Sequence, residues 1–516
     1  MTDAMINLTI EGRSVSVPAG TSIVEAAKTA GILIPHYCYH PGLPVAGVCR
    51  MCLVEVEKAP KLAPGCATAV AEGQVVHVYS EKALEARKGV LEMLLINHPL
   101  DCPICDQSGE CELQDYTFQE GRADSRYREA KRFNPVEDFG GDVMYVPNRC
   151  ILCTRCVRFM DDIHDAPVLN VSERGDRAYI GKAPDADLTQ PWAANVVDLC
   201  PVGALLSKDF LNKARAWELD RTASVCTGCS QGCNVTIELR DQQVVRIRPR
   251  GNADVNKFFM CDHGRMNYRW MNRPDRLDAP MAGGTEVDWE VAIAAAAKAL
   301  AGKRAFVVAN ASLSNETLFL LKRLIAKTGG SGHYNVPQGD EAPLPGVPDL
   351  SLRADRAANG TAAELLGFAR EAKPLTNVGA GDVAILVDVE PHAAAAEALA
   401  KAGAVIVIGT AMPAIVKSAA AVLPIANVAE HEGTLTNLRG RVQRFLQAKA
   451  APGLARPAWY ALADLLAVMG ERANYATASA VFDALAASEP AFQGMSYDTL
   501  ALSGIEMPGM RAGASA

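Results

Sequence analysis

The stretch Arg149-Cys-Ile-Leu-Cys-Thr-Arg-Cys156 carries three cysteines separated by two residues each, and a Cys200-Pro201 dipeptide follows farther along the chain. This close spacing lets three thiolates face one metal centre, while a remote cysteine supplies the fourth ligand. No second triplet lies between Cys156 and Cys200, so a single site is the economical assignment. The spacing therefore predicts a four-cysteine metal site in this part of the chain.

The other cysteines form further sets of the same kind. The chain has 516 residues and 15 cysteines, and none of them follows Cys261. An odd number of cysteines in a chain without a secretory signal argues against a disulfide framework and for metal ligation in a reducing compartment. With His98 added, the candidate ligands make four sets of four: Cys38, Cys49, Cys52 and Cys66; His98, Cys102, Cys105 and Cys111; Cys150, Cys153, Cys156 and Cys200; and Cys226, Cys229, Cys233 and Cys261.

The overall composition predicts a multidomain globular protein. It is 49% hydrophobic and 21% charged, and the chain is too long for one hydrophobic core. A net charge of −8 without a long Lys/Arg block argues against a nucleic-acid partner. We find no long uncharged apolar run and no basic start followed by an apolar stretch, so we expect the chain to stay on the cytoplasmic side.

The first set has the spacing Cys38-x10-Cys49-x2-Cys52-x13-Cys66, which fits a [2Fe–2S] centre. A loop that places three thiolates around a cluster needs small, flexible residues, and Gly42, Ala46 and Gly47 supply them. The first gap is longer than in plant-type ferredoxins. A structural zinc site, which four cysteines also permit, is the alternative.

The second set contains a histidine, in His98-Pro-Leu-Asp-Cys-Pro-Ile-Cys105 followed by Cys111. A neutral imidazole in place of a thiolate makes an iron–sulfur cluster less negative and raises its potential. A lone histidine near a helix end is usually a surface or core residue. Here the three cysteines otherwise lack a fourth ligand, and no unassigned cysteine remains. A zinc knuckle with three cysteines and one histidine is the alternative.

The third and fourth sets each resemble a known type of [4Fe–4S] site. The third resembles one site of a bacterial ferredoxin, with Cys200-Pro201 as the remote ligand. The fourth, Cys226-x2-Cys229-x3-Cys233-x27-Cys261, resembles the N-terminal [4Fe–4S] domain of molybdopterin oxidoreductases. This set has all four cysteines, so we expect the cluster to be present.

Hydrophobic patterns predict the folds around these sets. Alternation over residues 6–10 and 14–17 around Glu11-Gly12 predicts a hairpin, and Ser22 and Glu25 form a possible capping box for a following helix. With a strand at 53–56, this order is that of a small α+β ferredoxin domain. A helix is predicted over 81–97. Past residue 285, apolar runs at 305–309, 383–387 and 404–408 alternate with Ala-rich helical segments, which is typical of a parallel α/β sheet.

The order of the four sets resembles the large iron–sulfur subunit of NADH–quinone oxidoreductase, respiratory complex I. The resemblance covers residues 5 to 275 closely, including Asp198-Leu-Cys-Pro-Val-Gly-Ala204. Farther on, Glu432-Gly-Thr434 and Asn437-Leu-Arg-Gly-Arg-Val-Gln443 resemble a molybdopterin-superfamily segment, with Arg439 where Glu is usual. A degenerate molybdopterin-oxidoreductase-like α/β region is implied. Five domains are expected: a β-grasp [2Fe–2S] ferredoxin-like domain at 1–80, [4Fe–4S] domains at 81–121, 122–215 and 216–275, and the degenerate region at 276–516.

The resemblance implies an electron-transfer subunit of a respiratory-chain translocase. It would bind one [2Fe–2S] and three [4Fe–4S] clusters and carry electrons from NADH and FMN in a neighbouring subunit towards quinone. This chain would have no substrate-converting site of its own. Its partners would be the FMN/NADH-binding subunit and the quinone-proximal peripheral-arm subunits, through which alone it would meet the bacterial inner membrane. No cysteine follows Cys261, and the remaining residues are too few for the superfamily's full set of cofactor domains, so we expect no molybdopterin.

Two other functions remain open. A formate dehydrogenase or a hydrogenase-linked diaphorase shares the N-terminal cluster order, and a diaphorase-type partner of an NAD-linked hydrogenase is the stronger of these alternatives. A zinc-stabilised scaffold without redox activity is the other possibility. The partners that copurify with the chain and the metal that it contains distinguish the three functions.

Overall fold

The computed structural model describes residues 4–371, 375, 378–393 and 395–509. The chain divides into two compact units, one made of residues 1–219 and 344–348 and the other of residues 220–343 and 349–516. The first three candidate ligand sets lie in the first unit, and the fourth lies in the second unit with the C-terminal region. Within the described ranges, no helix combines the length and apolar composition that a membrane span requires.

The N-terminal domain is a five-stranded sheet with one helix packed on it. Its elements are β1 (Met5–Ile10), β2 (Arg13–Pro18), α1 (Ile23–Thr29), β3 (Leu53–Val56), β4 (Ala63–Pro64) and β5 (Val75–His77). The sheet order is β2-β1-β5-β3-β4, with β1 and β2 antiparallel and β1 and β5 parallel. The predicted hairpin, helix and strand are confirmed.

The start of α1 shows half of the predicted capping box. Ser22 Oγ accepts a hydrogen bond from Glu25 N at 3.3 Å, which satisfies one of the free N–H groups of the first turn. The Glu25 carboxylate does not return to the Ser22 backbone but accepts a hydrogen bond from Tyr39 Oη at 2.9 Å. The helix is therefore joined to the loop that begins the first ligand set.

The rest of the first unit consists of short elements that separate the cysteine loops. Its helices are α2 (Glu81–Leu95), α3 (Glu112–Glu120), α4 (Arg155–Arg158), a π-helical turn (Phe159–Ile163) and α5 (Asn195–Leu199). Its strands are β6 (Glu137–Gly140), β7 (Val143–Tyr145), β8 (Leu169–Ser172), β9 (Tyr179–Lys182) and β10 (Leu205–Ser207). They form a β10-β7-β6 sheet and a β8–β9 pair. The predicted helix over 81–97 ends at Leu95; Leu91 is buried, whereas Leu84, Leu94 and Leu95 are only half-buried.

The second unit begins with the antiparallel sheet β11-β12-β13, and the fourth set lies beside it. The elements here are β11 (Asp220–Val225), β12 (Asn234–Arg240), β13 (Gln243–Pro249) and α6 (Asp262–Met266). Short 3₁₀ turns in the chain lie at Cys102–Ile104, Pro147–Arg149, Gly175–Arg177, Ala216–Glu218, Arg269–Asn272 and Pro490–Phe492.

The remainder of the second unit is built on an eight-stranded sheet, formed by described residues in the order β15-β14-β23-β22-β21-β16-β17-β20. Its strands are β14 (Met281–Ala282), β15 (Thr285–Glu286), β16 (Arg304–Asn310), β17 (Ser331–Asn335), β20 (Ala369–Arg370), β21 (Asp382–Val387), β22 (Ala404–Gly409) and β23 (Ala421–Pro424). Strands β16, β17, β20, β21, β22 and β23 run parallel, as the apolar runs predict. All six residues of β21 are buried, because a parallel sheet is covered on both faces.

Helices cover this sheet, and smaller strand pairs lie outside it. The helices are α7 (Trp289–Leu300), α8 (Asn315–Thr328), α9 (Gly360–Leu365), α10 (Ala395–Lys401), α11 (Ala458–Val468), α12 (Ala478–Ser488) and α13 (Tyr497–Leu500). The remaining strands are β18 (Ala342–Pro343), β19 (Ser351–Leu352), β24 (Gly433–Thr436), β25 (Arg441–Phe445) and β26 (Ile505–Glu506). Strands β24 and β25 form an antiparallel hairpin that contains the segment resembling the molybdopterin superfamily.

A buried ion pair ties the start of this region to the loop after β23. Arg276 donates from Nη1 and Nη2 to the two carboxylate oxygens of Glu430, each at 2.7 Å, and both side chains are almost fully buried. Arg276 also donates to the carbonyls of Thr410 and Ile425. Lys449 Nζ lies 3.5 Å from the same carboxylate. Removing only the arginine would leave the buried Glu430 carboxylate with Lys449 as a more distant cation.

We predict that Arg276→Met lowers the free energy of unfolding of the second unit by about 3 kcal/mol, because the Glu430 carboxylate loses its bidentate partner. Urea titration followed by tryptophan fluorescence measures the change. Arg273→Met is the control, since the Arg273–Asp275 pair is exposed and should leave the midpoint nearly unchanged. Equal midpoints for the two variants would contradict the prediction.

Candidate metal centres

The side chains of the four predicted ligand sets do not converge as closely as the ligands of a single metal ion do. Among the described residues, no three His, Cys, Asp or Glu side chains converge closely enough to hold a single ion. A cluster of several iron and sulfide atoms is larger than one ion, and its ligands surround it. The cysteines of each set are instead related by electrostatic interaction with one another.

The first set is a chain of neighbouring thiols beneath the N-terminal sheet. Cys38, Cys52 and Cys66 are buried, and Cys49 is partly exposed. Hydrogen bonds from the Cys49 and Cys66 thiols hold the pKa of Cys38 well below its usual range, and a hydrogen bond from Cys66 lowers the pKa of Cys52 to about 7. The same bonds raise the pKa of the donors Cys49 and Cys66. Thiolate charge is therefore favoured at two of the four sulfurs.

The third set encloses a small cavity. Cys153, Cys156 and Cys200 are buried, and Cys150 is nearly so; all four line the cavity, together with apolar side chains such as Ile180. Leu152 and Thr154 adopt left-handed backbone conformations, at φ 53° and 59°, that fold the loop around the cavity. Such strain in non-glycine residues is typical of functional loops.

The electrostatics of the third set fit an iron cluster. Burial, and the charge of neighbouring cysteines, raise the pKa of Cys153 to about 12, and burial raises the pKa of Cys150 and Cys200 to about 11 each. Four thiolates cannot share this apolar space unless a cation balances them. Iron would supply that charge, so the donor set is compatible with a cluster.

The second set combines buried and exposed ligands. His98 Nδ1 is buried and has no hydrogen-bond partner among the described residues. Burial, then the charges of Lys131 and Arg149, lower the pKa of His98 to about 4, so the imidazole is neutral at pH 7. Cys111 is buried, Cys105 is partly buried and Cys102 is exposed. A neutral imidazole with a free ring nitrogen fits a role as a metal ligand.

The fourth set is buried throughout. Burial, together with the charge of neighbouring cysteines, raises the pKa of Cys226 to about 12 and raises those of Cys233 and Cys261 well above the usual value. Backbone N–H groups face two of the sulfurs, from Gly228 to Cys226 Sγ at 3.4 Å and from Gly264 to Cys261 Sγ at 3.3 Å. This set also fits a cluster, since N–H donors stabilise negative charge on sulfur.

Arginines connect the first and third sets within the first unit. Arg158 Nη2 donates to the carbonyl of Cys38 at 2.5 Å and to the carbonyl of Cys153 at 3.3 Å. Arg155 Nη2 donates to the carbonyl of Tyr39 at 2.7 Å, and its Nη1 donates to the carbonyl of Leu199 at 3.3 Å. These two guanidinium groups therefore hold the ligand loops of two sets together.

The second set contacts the third set directly. The Arg149 side chain, next to Cys150, lies 3.0 Å from the Asp101 carboxylate, next to Cys102. A Cβ on Gly203 would lie 2.2 Å from Cys105 Sγ, so only glycine allows the loop after Cys200 to approach this closely. The segment of the third set thus adjoins the segments of both other sets in the first unit.

Sequence reasoning did not identify these connecting residues. Arg155 and Arg158 lie within and just after the cysteine triplet, but their partners Tyr39 and Cys38 are more than 100 positions away in the chain. Gly203 belongs to the quoted Asp198–Ala204 segment, yet spacing alone does not show which cysteine it meets. Glycine after a Cys-Pro dipeptide is the only local signal that could have marked a close approach.

The second unit contains a cavity of about 630 Å³ at the carboxyl ends of β16, β21 and β22. This edge of a parallel sheet is where α/β proteins commonly bind ligands. Several of its polar side chains pair within the protein: Asn310 Nδ2 donates to the carbonyl of Asp388 at 2.9 Å, and the Asp388 carboxylate accepts from Thr410 Oγ1 at 2.7 Å. His392 also lines the cavity, and its buried Nε2 has no hydrogen-bond partner among the described residues. His431 Nδ1 pairs with the carbonyl of Asn427 at 2.8 Å.

Five protein families match consecutive parts of the chain. They are the 2Fe-2S iron-sulfur cluster binding domain at 3–81, the NADH-ubiquinone oxidoreductase-G iron-sulfur binding region at 87–126, the ferredoxin-like domain of NADH-quinone oxidoreductase subunit 3 at 140–206, the molybdopterin oxidoreductase Fe4S4 domain at 219–273 and molybdopterin oxidoreductase at 355–468. The predicted fold classes and their order are confirmed.

Curated relatives match the same region. The NADH-quinone oxidoreductase G subunit of Rickettsia felis is 40% identical over 343 residues, which are 65% of this chain and 51% of the relative. The mitochondrial NADH-ubiquinone oxidoreductase 78 kDa subunit of Candida albicans is 41% identical over 337 residues, which are 63% of this chain and 47% of the relative. The chain thus spans about half the length of these relatives.

A solved structure also matches part of the chain. A chain in the crystal structure of an NAD+-reducing [NiFe]-hydrogenase in the H2-reduced state is 31% identical, with a TM-score of 0.38, and the match covers 41% of this chain and 91% of that one. The family matches and the curated relatives agree with the resemblance that the ligand spacing indicates. The chain is therefore a homologue of the NADH-quinone oxidoreductase G subunit, with [2Fe–2S], [4Fe–4S] and molybdopterin oxidoreductase-like domains in that order.

Proposed function

We propose that this chain is an iron–sulfur electron-transfer subunit in the peripheral arm of a proton-translocating NADH–quinone oxidoreductase. It would pass electrons from the NADH and FMN site towards quinone. The observation that supports this most is that the segment of the third set contacts the segments of both other sets in the first unit, because single electrons move only between nearby centres. Arg158, which bonds both the Cys38 and Cys153 carbonyls, is the clearest instance.

The proposed cofactors are one [2Fe–2S] cluster and three [4Fe–4S] clusters. Cys38, Cys49, Cys52 and Cys66 would hold the two-iron cluster. The other three sets would each hold a four-iron cluster: His98 with Cys102, Cys105 and Cys111; Cys150 with Cys153, Cys156 and Cys200; and Cys226 with Cys229, Cys233 and Cys261. The domain boundaries proposed from the sequence place each set in a domain of its own.

Bound clusters would supply the one-electron chemistry, and the chain would set the conditions for it. Burial of the fourth set, and of Cys153, Cys156 and Cys200 in the third, limits the access of water to these sulfurs. N–H groups of Gly228 and Gly264 donate to ligand sulfurs, and Arg158 places positive charge beside two ligand loops. The N–H donors and the guanidinium favour the reduced, more negative state of a cluster and so raise its potential.

We propose that the α/β region binds no molybdopterin. No cysteine follows Cys261 to bind molybdenum. The polar groups of Asn310, Asp388 and His431 in the cavity are engaged with other protein groups. The region would instead serve as a scaffold that packs against neighbouring subunits.

The proposed partners are other subunits of the complex, notably the FMN/NADH-binding subunit and the quinone-proximal peripheral-arm subunits. Leu100 and Ile104 flank the exposed Cys102 and are 89% and 69% exposed, which supports coverage of this surface by a partner. Contact with the cytoplasmic side of the bacterial inner membrane would pass through such partners, with no nucleic acid involved. The proteins that copurify with the chain distinguish the two functions. Membrane-arm subunits would support this proposal, whereas hydrogenase subunits would support the diaphorase-type alternative.

We predict that anaerobically purified protein is brown and contains about 14 iron atoms, because one two-iron and three four-iron clusters are expected. Metal analysis and electron paramagnetic resonance (EPR) spectra of the reduced protein provide the measurement. Stoichiometric zinc without visible absorbance would establish the zinc scaffold instead.

We predict that His98→Ala abolishes or converts one four-iron signal, because the second set loses a neutral ligand and retains only three cysteines. EPR and Mössbauer spectra of the reduced protein measure this. His77→Ala is the control, since His77 is exposed and pairs with Glu57. An unchanged spectrum in the His98 variant would remove His98 from the ligand set.

We predict that Arg158→Met lowers the midpoint potentials of the first-set and third-set clusters by on the order of 50 mV, because a positive charge that stabilises both reduced clusters is lost. Potentiometric titration monitored by EPR measures both values. Arg158→Lys keeps the charge and should show a smaller change, and Arg126→Met removes an exposed arginine as a control. Equal potentials in wild type and Arg158→Met would refute the assigned role.

A further inference from the structure

The loop between the second and third cysteines of the fourth set is joined to a hairpin about 200 positions away in the chain. Residues 230–232 form the loop, and residues 437–443 form the turn and second strand of the hairpin. Each of the three loop carbonyls accepts a hydrogen bond from the hairpin segment. The bonds are Leu438 N to Ser230 O at 2.9 Å, Asn437 Nδ2 to Gln231 O at 3.3 Å and Gln443 Nε2 to Gly232 O at 2.9 Å.

The two side-chain amides have fixed orientations. Gln443 is 1% exposed, and its Oε1 accepts a hydrogen bond from Asn234 Nδ2 at 2.5 Å. Asn437 is 2% exposed, and its Oδ1 accepts from Arg439 N and Arg441 N, each at 3.0 Å. Because the acceptor end of each amide is occupied, the donor end of each must face the loop.

The glycine of the loop fits this contact closely. Gly232 has φ +60°, a conformation that side chains with a Cβ rarely adopt. A Cβ there would lie 3.0 Å from Gln443 Nε2 and 3.1 Å from Asn437 Cβ. The loop and hairpin therefore pack against each other without spare space. Ser230 N also donates to the carbonyl of Asp355 at 2.9 Å, which fixes the loop from another segment.

The direction of these bonds suits an anionic centre. A cluster bound by four thiolates carries negative charge, and it repels the negative end of a carbonyl dipole. The hairpin binds all three carbonyl oxygens between Cys229 and Cys233 and so keeps them engaged with neutral amide donors. A loop released from the hairpin could turn those oxygens towards the sulfurs.

We propose that Asn437 and Gln443 are positioning residues for the fourth cluster, which hold the Cys229–Cys233 loop in the conformation that binds it. The segment resembling the molybdopterin superfamily thus has a role that needs no molybdopterin. The proposal rests on the proposed function only in requiring a cluster at the fourth set.

The test uses the full chain, purified anaerobically. Gln443→Met keeps the side-chain length but removes both the donor to Gly232 and the acceptor for Asn234 Nδ2. Thr436→Val is the matched control on the same hairpin. Thr436 is fully buried and donates from Oγ1 to Asn315 Oδ1 at 3.2 Å. This hydrogen bond does not involve the loop of residues 230–232. Cys226→Ala identifies the EPR signal that belongs to the fourth set.

We expect Gln443→Met to change the shape and midpoint potential of that signal and to speed loss of its iron to a chelator about tenfold, because a buried carbonyl is left without its donor. The other three signals should not change, and Thr436→Val should change none of them. The EPR spectrum and potential provide readouts that are independent of catalytic activity.

Three outcomes would overturn the proposal. One is an unaltered fourth signal, potential and iron-loss rate in Gln443→Met. Another is an equal effect of Thr436→Val, which would mean general destabilisation. A third is a set of EPR signals that is the same in wild type and in Cys226→Ala, which would overturn the fourth-cluster assignment as well. If Gln443→Met does not fold, Asn437→Asp decides by the rate of iron loss, since it keeps the acceptor towards Arg439 and Arg441 and replaces the donor to Gln231 with a carboxylate oxygen that repels this carbonyl.

Discussion

The burial of several thiol sulfurs in one place is the constraint on which this structure depends. In the third and fourth sets, burial raises the pKa of the cysteines, and the charge of neighbouring cysteines adds to the effect at Cys153 and Cys226. Such a group cannot ionise unless positive charge enters the site. The loops that carry it have few regular elements and small cores of their own, so the bound metal would contribute to folding as well as to chemistry.

Arginine side chains supply much of the structure between these loops. Arg149, Arg155 and Arg158 come from the same cysteine-rich segment, and each reaches a residue beside another ligand set. A guanidinium group presents several donors in a rigid plane, which suits simultaneous bonds to backbone carbonyls. The same groups bring positive charge near centres that become more negative on reduction. Packing and electrostatics in the first unit thus rest on the same residues.

The C-terminal region shows how a polar segment can keep a structural role. Its hairpin is held from one side by Glu316, a fully buried carboxylate that accepts hydrogen bonds from Thr434 N and Thr434 Oγ1 at 3.1 and 2.8 Å. From the other side, Asn437 and Gln443 bond the loop of the fourth set. The hairpin therefore connects the parallel sheet's helix α8 to the cysteine loop. The contacts of Asn437 and Gln443 are made with the protein itself, so they do not depend on a ligand in the cavity.

The sequence by itself determined the local features: the spacing of the four ligand sets, the hairpin around Glu11-Gly12 and the parallel strands β16, β21 and β22. These are properties of short segments, where spacing and hydrophobic period are directly visible. The prediction from sequence was less accurate where a side chain from another segment competes for a hydrogen-bonding group. At Glu25, the carboxylate accepts a hydrogen bond from Tyr39 instead of closing the capping box. Only the tertiary structure decided that the first three sets are neighbours, and that residues 437–443 hold the loop 230–232. Contacts between distant segments arise from the packing of whole domains, which leaves no periodic pattern in the chain.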